Sequence, residues 1–66
     1  MSEQRLLRLP DVESLTGLKR AHLYNLARNG KFPRPLKIGA RASAWQSSEV
    51  HSWIAERIRE AKEGQQ

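Results

Sequence analysis

Apolar residues recur at helical spacing in two short stretches of the chain. Val12 and Leu15 are spaced i, i+3 and share one face of a first helix, predicted at residues 10–16. A second helix is predicted at residues 19–28, where an apolar side faces inward. That side consists of Leu23, Leu26 and Ala27, spaced i, i+3, i+4. The pattern therefore predicts two amphipathic helices that follow each other closely.

The segment between these helices has the chemistry of a tight turn. Gly17 can take the positive φ that ends a helix, and Leu18 places an apolar side chain inside the angle. Two helices joined by a short turn with glycine form the helix-turn-helix pattern, here at residues 10–28. The same pattern also fits a purely structural helical hairpin, so the residues that follow must decide between the two.

A β-hairpin is predicted after the second helix. Asn29-Gly30 ends the helix by turn chemistry, and two closely spaced prolines exclude a helix from the segment that follows. Two short strands with a turn between them then predict a wing at residues 36–45, with Trp45 as the anchor of the return strand. Residues 5–9 are expected to lie as a short extended segment against the core.

The third helix shows the longest helical repeat in the chain and is predicted at residues 47–62. Its apolar side is expected to contain Val50, Trp53, Ile54, Arg57, Ile58 and Ala61. Ser47 or Ser48 is predicted to cap its N-terminus. Residues 1–4 and residues 63–66 are polar and are expected to be disordered.

Length and composition limit the chain to one small domain. Sixty-six residues allow a single core, and the absence of cysteine excludes a disulfide or a thiolate metal site. The predicted fold is mainly α with a small β-hairpin, a winged helix-turn-helix of three helices plus a wing. Both tryptophans are expected to be largely buried. The large core residues are predicted to be Leu15, Leu18, Leu23, Leu26, Phe32, Trp45, Val50, Trp53 and Ile54.

The net charge of +5 is concentrated in one block of the sequence. Residues 1–18 and residues 42–66 each hold one more acidic than basic residue, whereas residues 19–41 hold seven basic residues and no acidic one. The block contains Lys19, Arg20, Arg28, Lys31, Arg34, Lys37 and Arg41. A field of one sign over so much of a small domain favours a polyanionic partner such as double-stranded DNA. A solvated basic face is the alternative, but the block coincides with the second helix.

The outward face of the second helix carries groups suited to nucleic acid. Ala21, Asn25 and Arg28 lie opposite its apolar side, flanked by His22 and Tyr24. Asn can pair with adenine, Arg with guanine, and Tyr or His with phosphate. The wing tip is expected to lie along the DNA backbone or in the minor groove. The candidate DNA-binding residues are Lys19, Arg20, Ala21, His22, Tyr24, Asn25, Arg28, Lys31, Lys37 and Arg41.

Enzyme chemistry is disfavoured. His22 and His51 stand far apart in the sequence without an evident third ligand, and the chain has no glycine-rich phosphate loop. We therefore expect no catalytic residue, metal, cofactor or small-molecule ligand. No apolar run is long enough to span a bilayer, so no membrane partner is expected. The alternative function from another class is that of a small protein-binding adaptor, which would use the third helix or the basic face.

The residues from Leu9 to Ile54 resemble the AlpA-like regulators of phages and prophages. The resemblance rests on T-G-L, a tyrosine in the second helix, G-x-F-P-x-P, K-x-G, a tryptophan, and S-E-V-x-x-W-I, in that order. This family has a MerR-like winged helix-turn-helix and is related in fold to phage excisionases. The chain departs from the family pattern at Lys19, where a serine is usual, and at Ala21 and His22, where small hydroxyl residues are frequent.

The resemblance implies binding to specific DNA sites in the bacterial cytoplasm, in association with the nucleoid. It implies either a transcriptional regulator of mobile-element genes or an excisionase that shapes attachment-site DNA for an integrase during DNA recombination. An integrase, or further copies of the chain on the same DNA, would then be additional partners. Residues 1–66 are accordingly expected to form a single DNA-binding domain.

Overall fold

The computed structural model of the chain describes residues 5–64. Three helices and a small antiparallel sheet, with strand order β1-β3-β2, build the fold. The elements in chain order are β1 (Leu6–Leu7), α1 (Leu9–Thr16), α2 (Arg20–Arg28), β2 (Leu36–Gly39), β3 (Ala42–Gln46) and α3 (Ser47–Glu63). This confirms the predicted fold class, a mainly helical winged helix-turn-helix. The disorder predicted for residues 1–4, 65 and 66 concerns positions outside the described residues.

The turn between α1 and α2 is closed by local hydrogen bonds. Gly17 has a φ of 75°, and its N–H donates to the carbonyl of Glu13 at 2.7 Å. The Thr16 hydroxyl donates to the Val12 carbonyl at 2.8 Å and accepts the N–H of Leu18 at 3.2 Å. Leu18 is half-buried against the core, as its position in the turn predicted. Because these bonds lie within one short segment, the angle between the two helices is set largely by local sequence.

The core lies between the helices and the sheet. Its buried apolar residues are Leu7, Val12, Leu23, Ala27, Phe32, Trp45 and Val50. Trp45 is fully buried, and its indole Nε1–H donates to the carbonyl of Pro33 at 2.9 Å. This bond satisfies the one polar atom of the largest core side chain. It also ties the loop after α2 to the wing.

The sheet has one strand more than the predicted hairpin. Leu6 pairs with Gln46 and Leu7 with Trp45, so β1 lies along the side of β3 away from β2. Leu7 is buried and Leu6 is exposed, which is the alternation expected of a strand with one face on a core. The sequence predicted an extended segment here but not its partner, because two residues are too few to show a strand period.

The predicted serine cap of the third helix is wrong. Gln46 is the N-cap residue of α3, and its side chain makes no capping hydrogen bond. Ser47 is instead buried, and its hydroxyl accepts the backbone N–H of Arg5 at 3.0 Å. The N–H of Ser47 donates in turn to the carbonyl of Arg5 at 2.8 Å. The serine therefore fastens the start of the described chain to the start of α3.

This arrangement predicts a difference between two neighbouring serines. Ser47→Ala leaves the N–H of Arg5 without its acceptor and should lower the free energy of unfolding by about 1 kcal/mol. Ser48→Ala is the matched control, because Ser48 is exposed and the same exchange of serine for alanine changes the intrinsic helix propensity equally. Urea melts of both variants measure the difference. If only Ser48→Ala lowers the free energy of unfolding, Ser48 caps the helix and our assignment is contradicted.

Two further expectations, one for the core and one for the end of the third helix, were wrong. Leu15 is 44% exposed, because Val12 alone carries the buried contact of the two-turn α1. Trp53 packs against the core as expected, although it is not fully buried, and its ring lies edge-on to Phe32 at 4.9 Å. Past Ile54 the apolar side of α3 is uncovered, and Ile58 is 51% exposed, in agreement with a predicted core that ended at Ile54. The helix nevertheless continues through Glu63, which was expected to be disordered.

Candidate nucleic-acid interface

The exposed face of α2 is the first part of the candidate interface. Leu23 and Ala27 are buried on one side of the helix, which confirms the predicted inward face. The opposite side exposes Ala21, His22, Asn25 and Arg28, and Lys19 is exposed at the N-cap position. The helix therefore presents small, amide, imidazole and basic groups to solvent.

A groove between α1, α2 and the wing is the second part. It encloses about 540 Å³. We call it the basic groove; its lining residues are Arg8, Leu9, Pro10, Arg20, Tyr24, Lys37, Arg41 and Ser43. This lining, drawn from the described range 5–64, includes four cationic side chains and no acidic one. The fold thus brings a helix cation and two wing cations of the predicted site together across one concave surface.

Tyr24 forms the floor between α2 and the core. Its ring lies 5.8 Å from that of Trp45, tilted by 54°, and the residue is half-buried. The guanidinium of Arg20 lies over the ring of Tyr24, 5.7 Å from its centroid. A cation over an aromatic face is attracted by the ring quadrupole. Tyr24 therefore steadies Arg20 at the edge of the basic groove while resting on a fully buried side chain.

A smaller notch lies on the other side of Tyr24. It encloses about 280 Å³. We call it the arginine notch; its lining residues are Tyr24, Ala27, Arg28, Arg34 and Pro35. Arg28 was among the candidate residues, whereas Arg34 was not. Arg34 does belong to the acid-free block of the sequence, which is the signal that could have included it.

Not every candidate residue joins these two surfaces. Lys31 lines a different groove, between the loop after α2 and a side of α3 that carries Glu56, Arg57 and Glu60. Its carbonyl accepts the indole N–H of Trp53 at 2.7 Å. Lys19, Ala21, His22 and Asn25 line neither the basic groove nor the notch, although all four are exposed on or beside α2. Arg8 lines the basic groove but was missed, because it precedes the first helix in a segment without excess charge.

The cations of α3 are in a different electrostatic situation. Arg59 pairs with Glu56 at 2.6 Å and Arg57 with Glu60 at 3.4 Å. Across the part of the chain that the structure describes, no cation of the basic groove or the arginine notch forms an ion pair. The excess positive potential is therefore concentrated on the side of α2 and the wing.

The described residues carry no feature of a metal site or of a membrane-spanning helix. Between positions 5 and 64, no group of three or more His, Asp and Glu residues is placed to hold a metal ion. None of the helices in this range is long and apolar enough to cross a membrane.

The order of helix, turn, helix and β-hairpin places the protein in the winged helix-turn-helix class. The sequence profile of the family described as "Prophage CP4-57 regulatory protein (AlpA)" matches residues 5–58. The chain belongs to this family of prophage regulatory proteins, which is the resemblance predicted from its motifs.

Two relatives show how far the similarity extends. The chain is 42% identical over 64 residues to "Uncharacterized protein ORF88" of Enterobacteria phage P4. The aligned segment covers 97% of this chain and 73% of the relative. The chain is 30% identical over 64 residues to the "DNA-binding transcriptional activator AlpA" of Escherichia coli strain K12. Here the aligned segment covers 88% of this chain and 91% of the relative.

Proposed function

We propose that the chain is a sequence-specific, double-stranded DNA-binding protein that regulates transcription of phage or mobile-element genes. The basic groove is the observation that carries this proposal, because its lining joins the cations of α2 and the wing and includes no acidic residue among those that the structure describes. In this arrangement α2 enters the major groove, and the wing follows the sugar-phosphate backbone or the minor groove. The described function of the Escherichia coli relative, DNA-binding activation of transcription, supports it.

The N-terminus of α2 fits this orientation. Lys19 makes no side-chain capping bond, so free backbone N–H groups remain at the start of the helix. Helix N-termini bind phosphate through such groups, and Lys19 and Arg20 add positive charge at the same end. The first turn of α2 would then approach one strand of the duplex.

A salt titration with labelled duplex DNA tests the proposal. Neutralised phosphates release counterions, so log K should fall linearly with log salt, by about 0.9 per contacted phosphate. Retention of DNA at moderate salt with such a slope supports DNA binding. A protein-binding adaptor would release the duplex at moderate salt, and this outcome would remove the proposal.

Protection mapping around the gene that encodes the chain distinguishes two kinds of regulator. Protection over a promoter supports control of transcription, which is the role we propose. Protection confined to an arm of an attachment site would instead assign the chain to excision with an integrase. The position of the protected segment therefore decides between them.

Asn25 is the residue proposed to read a base. It is exposed on the outward face of α2, and adenine offers the N6 and N7 pair that an amide can contact. In the free protein its Oδ1 accepts the side-chain N–H of Asn29 at 3.2 Å. Base reading by Asn25 exchanges this exposed contact for two bonds to the base.

Asn25→Ala should therefore weaken a preferred site by about 1–3 kcal/mol more than random DNA and relax preference at one base pair. Asn29→Ala is the matched control, because it breaks the same side-chain bond but keeps the reading amide. Competition binding against a panel of single-base variants measures both effects. Equal weakening of preferred and random DNA by Asn25→Ala would assign the residue to a phosphate instead.

A further inference from the structure

Arg28 and Arg34 come from different elements but meet beside one aromatic ring. Arg28 ends α2, and Arg34 lies in the loop before β2. Both line the arginine notch together with Tyr24, which also lines the basic groove. The notch and the groove are therefore neighbours, separated by a single tyrosine side chain.

The backbone around Arg34 is held in place while its side chain stays exposed. Prolines at positions 33 and 35 restrict φ on both sides of the arginine. The Pro33 carbonyl accepts the indole N–H of the fully buried Trp45 at 2.9 Å. Arg34 thus projects from a fixed loop, which lowers the entropy lost when its guanidinium binds a ligand.

The guanidinium of Arg34 also keeps its donors available. Glu49 lines an adjacent groove with Arg34, but the two side chains form no ion pair among the described contacts. Arg28, the partner across the notch, is likewise exposed and unpaired within residues 5–64. Two planar guanidinium groups that line one open depression offer the kind of donors that bind a phosphate, which accepts several hydrogen bonds at once.

We propose that the arginine notch is a second backbone-phosphate site, and that one DNA strand passes over Tyr24 from the basic groove into the notch. This inference rests on the proposed DNA-binding function and deepens it. It adds Arg34 to the contact residues and gives the contacted strand a direction, from the wing side of α2 to the C-terminal end of the helix.

The first test compares the salt dependence of two arginine variants. Arg34→Ala should lower the salt slope for mixed-sequence duplex DNA by about 0.9, the value for one phosphate. Its affinity deficit relative to the parent should then shrink by about 3.5-fold between 50 and 200 mM salt, which follows from that slope. Arg59→Ala is the matched control, since it removes the same charge from α3, at a position that lines neither the basic groove nor the arginine notch.

The second test locates the phosphate. A duplex selected by the parent protein from a random pool is synthesised with single neutral methylphosphonate linkages along each strand. The positions at which the parent is sensitive should include two neighbouring ones on one strand, beside those contacted by the wing. Arg34→Ala should lose sensitivity at one of these positions, and Arg20→Ala at the other.

The outcomes separate this inference from the function on which it rests. If the parent retains no duplex, the DNA-binding function fails and the second phosphate site fails with it. If the parent binds with the expected slope while Arg34→Ala keeps the parent's slope and interference pattern, only the second site is overturned. Unchanged thermal midpoints of both arginine variants verify that the fold is intact, as expected for exposed side chains.

Discussion

Trp45→Ala is expected to unfold most of the protein in the absence of denaturant. Trp45 is fully buried, pairs across the sheet with Leu7, and contacts Tyr24 of α2 through its ring. Removing such a side chain typically costs about 3–5 kcal/mol, because the cavity does not fully collapse. A domain of this length has a total stability of only about 3–10 kcal/mol, so the loss is comparable to the whole.

Circular dichroism during a urea melt measures this loss. The control is Trp53→Ala, which removes the same side chain from a half-buried position on α3. Trp53 rests edge-on against Phe32 and beneath the Arg57 guanidinium, and we expect its replacement to cost clearly less than that of Trp45. A cooperative melt of Trp45→Ala near the parent midpoint would contradict the central position of this residue in the core.

The core also explains why the candidate interface has a defined shape. Trp45 supports Tyr24 on one side and the Pro33 carbonyl on the other. Tyr24 in turn carries the Arg20 guanidinium. One buried indole therefore supports both the floor of the basic groove and the loop that bears Arg34.

Elements with local causes were predicted well from the sequence. Gly17 takes the left-handed conformation that the turn requires, and Gly30, with φ of 74°, follows the end of α2. The Lys31 N–H donates a hydrogen bond to the carbonyl of Leu26 at 2.8 Å, and this bond closes the C-terminal end of α2. In such segments the residues that determine the conformation are neighbours in the chain, so their pattern is visible without the fold.

Contacts between distant segments were not predictable in the same way. Ser47 has the side chain of a helix cap, but the pairing of β1 with β3 brings the Arg5 N–H to it instead. The apolar repeat of α3 continues to Ile58, but the small domain covers it only as far as Trp53 and Ile54. The contacts of Ser47 and of the apolar side of α3 therefore depend on where other elements of the fold begin and end.

The residues of the candidate site also divide into those that local sequence predicts and those that only the fold brings together. Helical periodicity was sufficient to select the outward residues of α2, including Asn25 and Arg28. Arg8 and Arg34 were missed, because each reaches the interface only when a strand or a proline-bounded loop folds beside α2. Lys31 was selected for its charge alone, yet it lines a groove with Glu56, Arg57 and Glu60 of α3 and not one of the two basic surfaces.

Neutralising the basic groove is expected to have the largest effect on DNA binding. The triple variant Arg20→Gln, Lys37→Gln and Arg41→Gln removes three of its four cations and lowers the net charge from +5 to +2. At about 1 kcal/mol for each lost contact, the affinity for duplex DNA should fall by roughly 10²-fold at low salt. Stability should change little, because these side chains are exposed and form no ion pairs within the described residues.

A second triple variant provides the matched control. Arg57→Gln, Arg59→Gln and Lys62→Gln also lower the net charge from +5 to +2, but all three positions lie on α3. If affinity depends on total charge alone, the two variants should weaken binding equally. If it depends on the basic groove, the α3 variant should stay close to the parent apart from a small long-range effect.

The salt slope of these two triple variants, measured side by side on one duplex, tests most directly whether the basic groove contacts the DNA backbone. We expect the groove variant to lose about 2.7 units of slope, corresponding to three phosphates, and the α3 variant to keep the slope of the parent. Equal slopes for the two variants, or a larger loss for the α3 variant, would contradict the assignment of the interface to α2 and the wing.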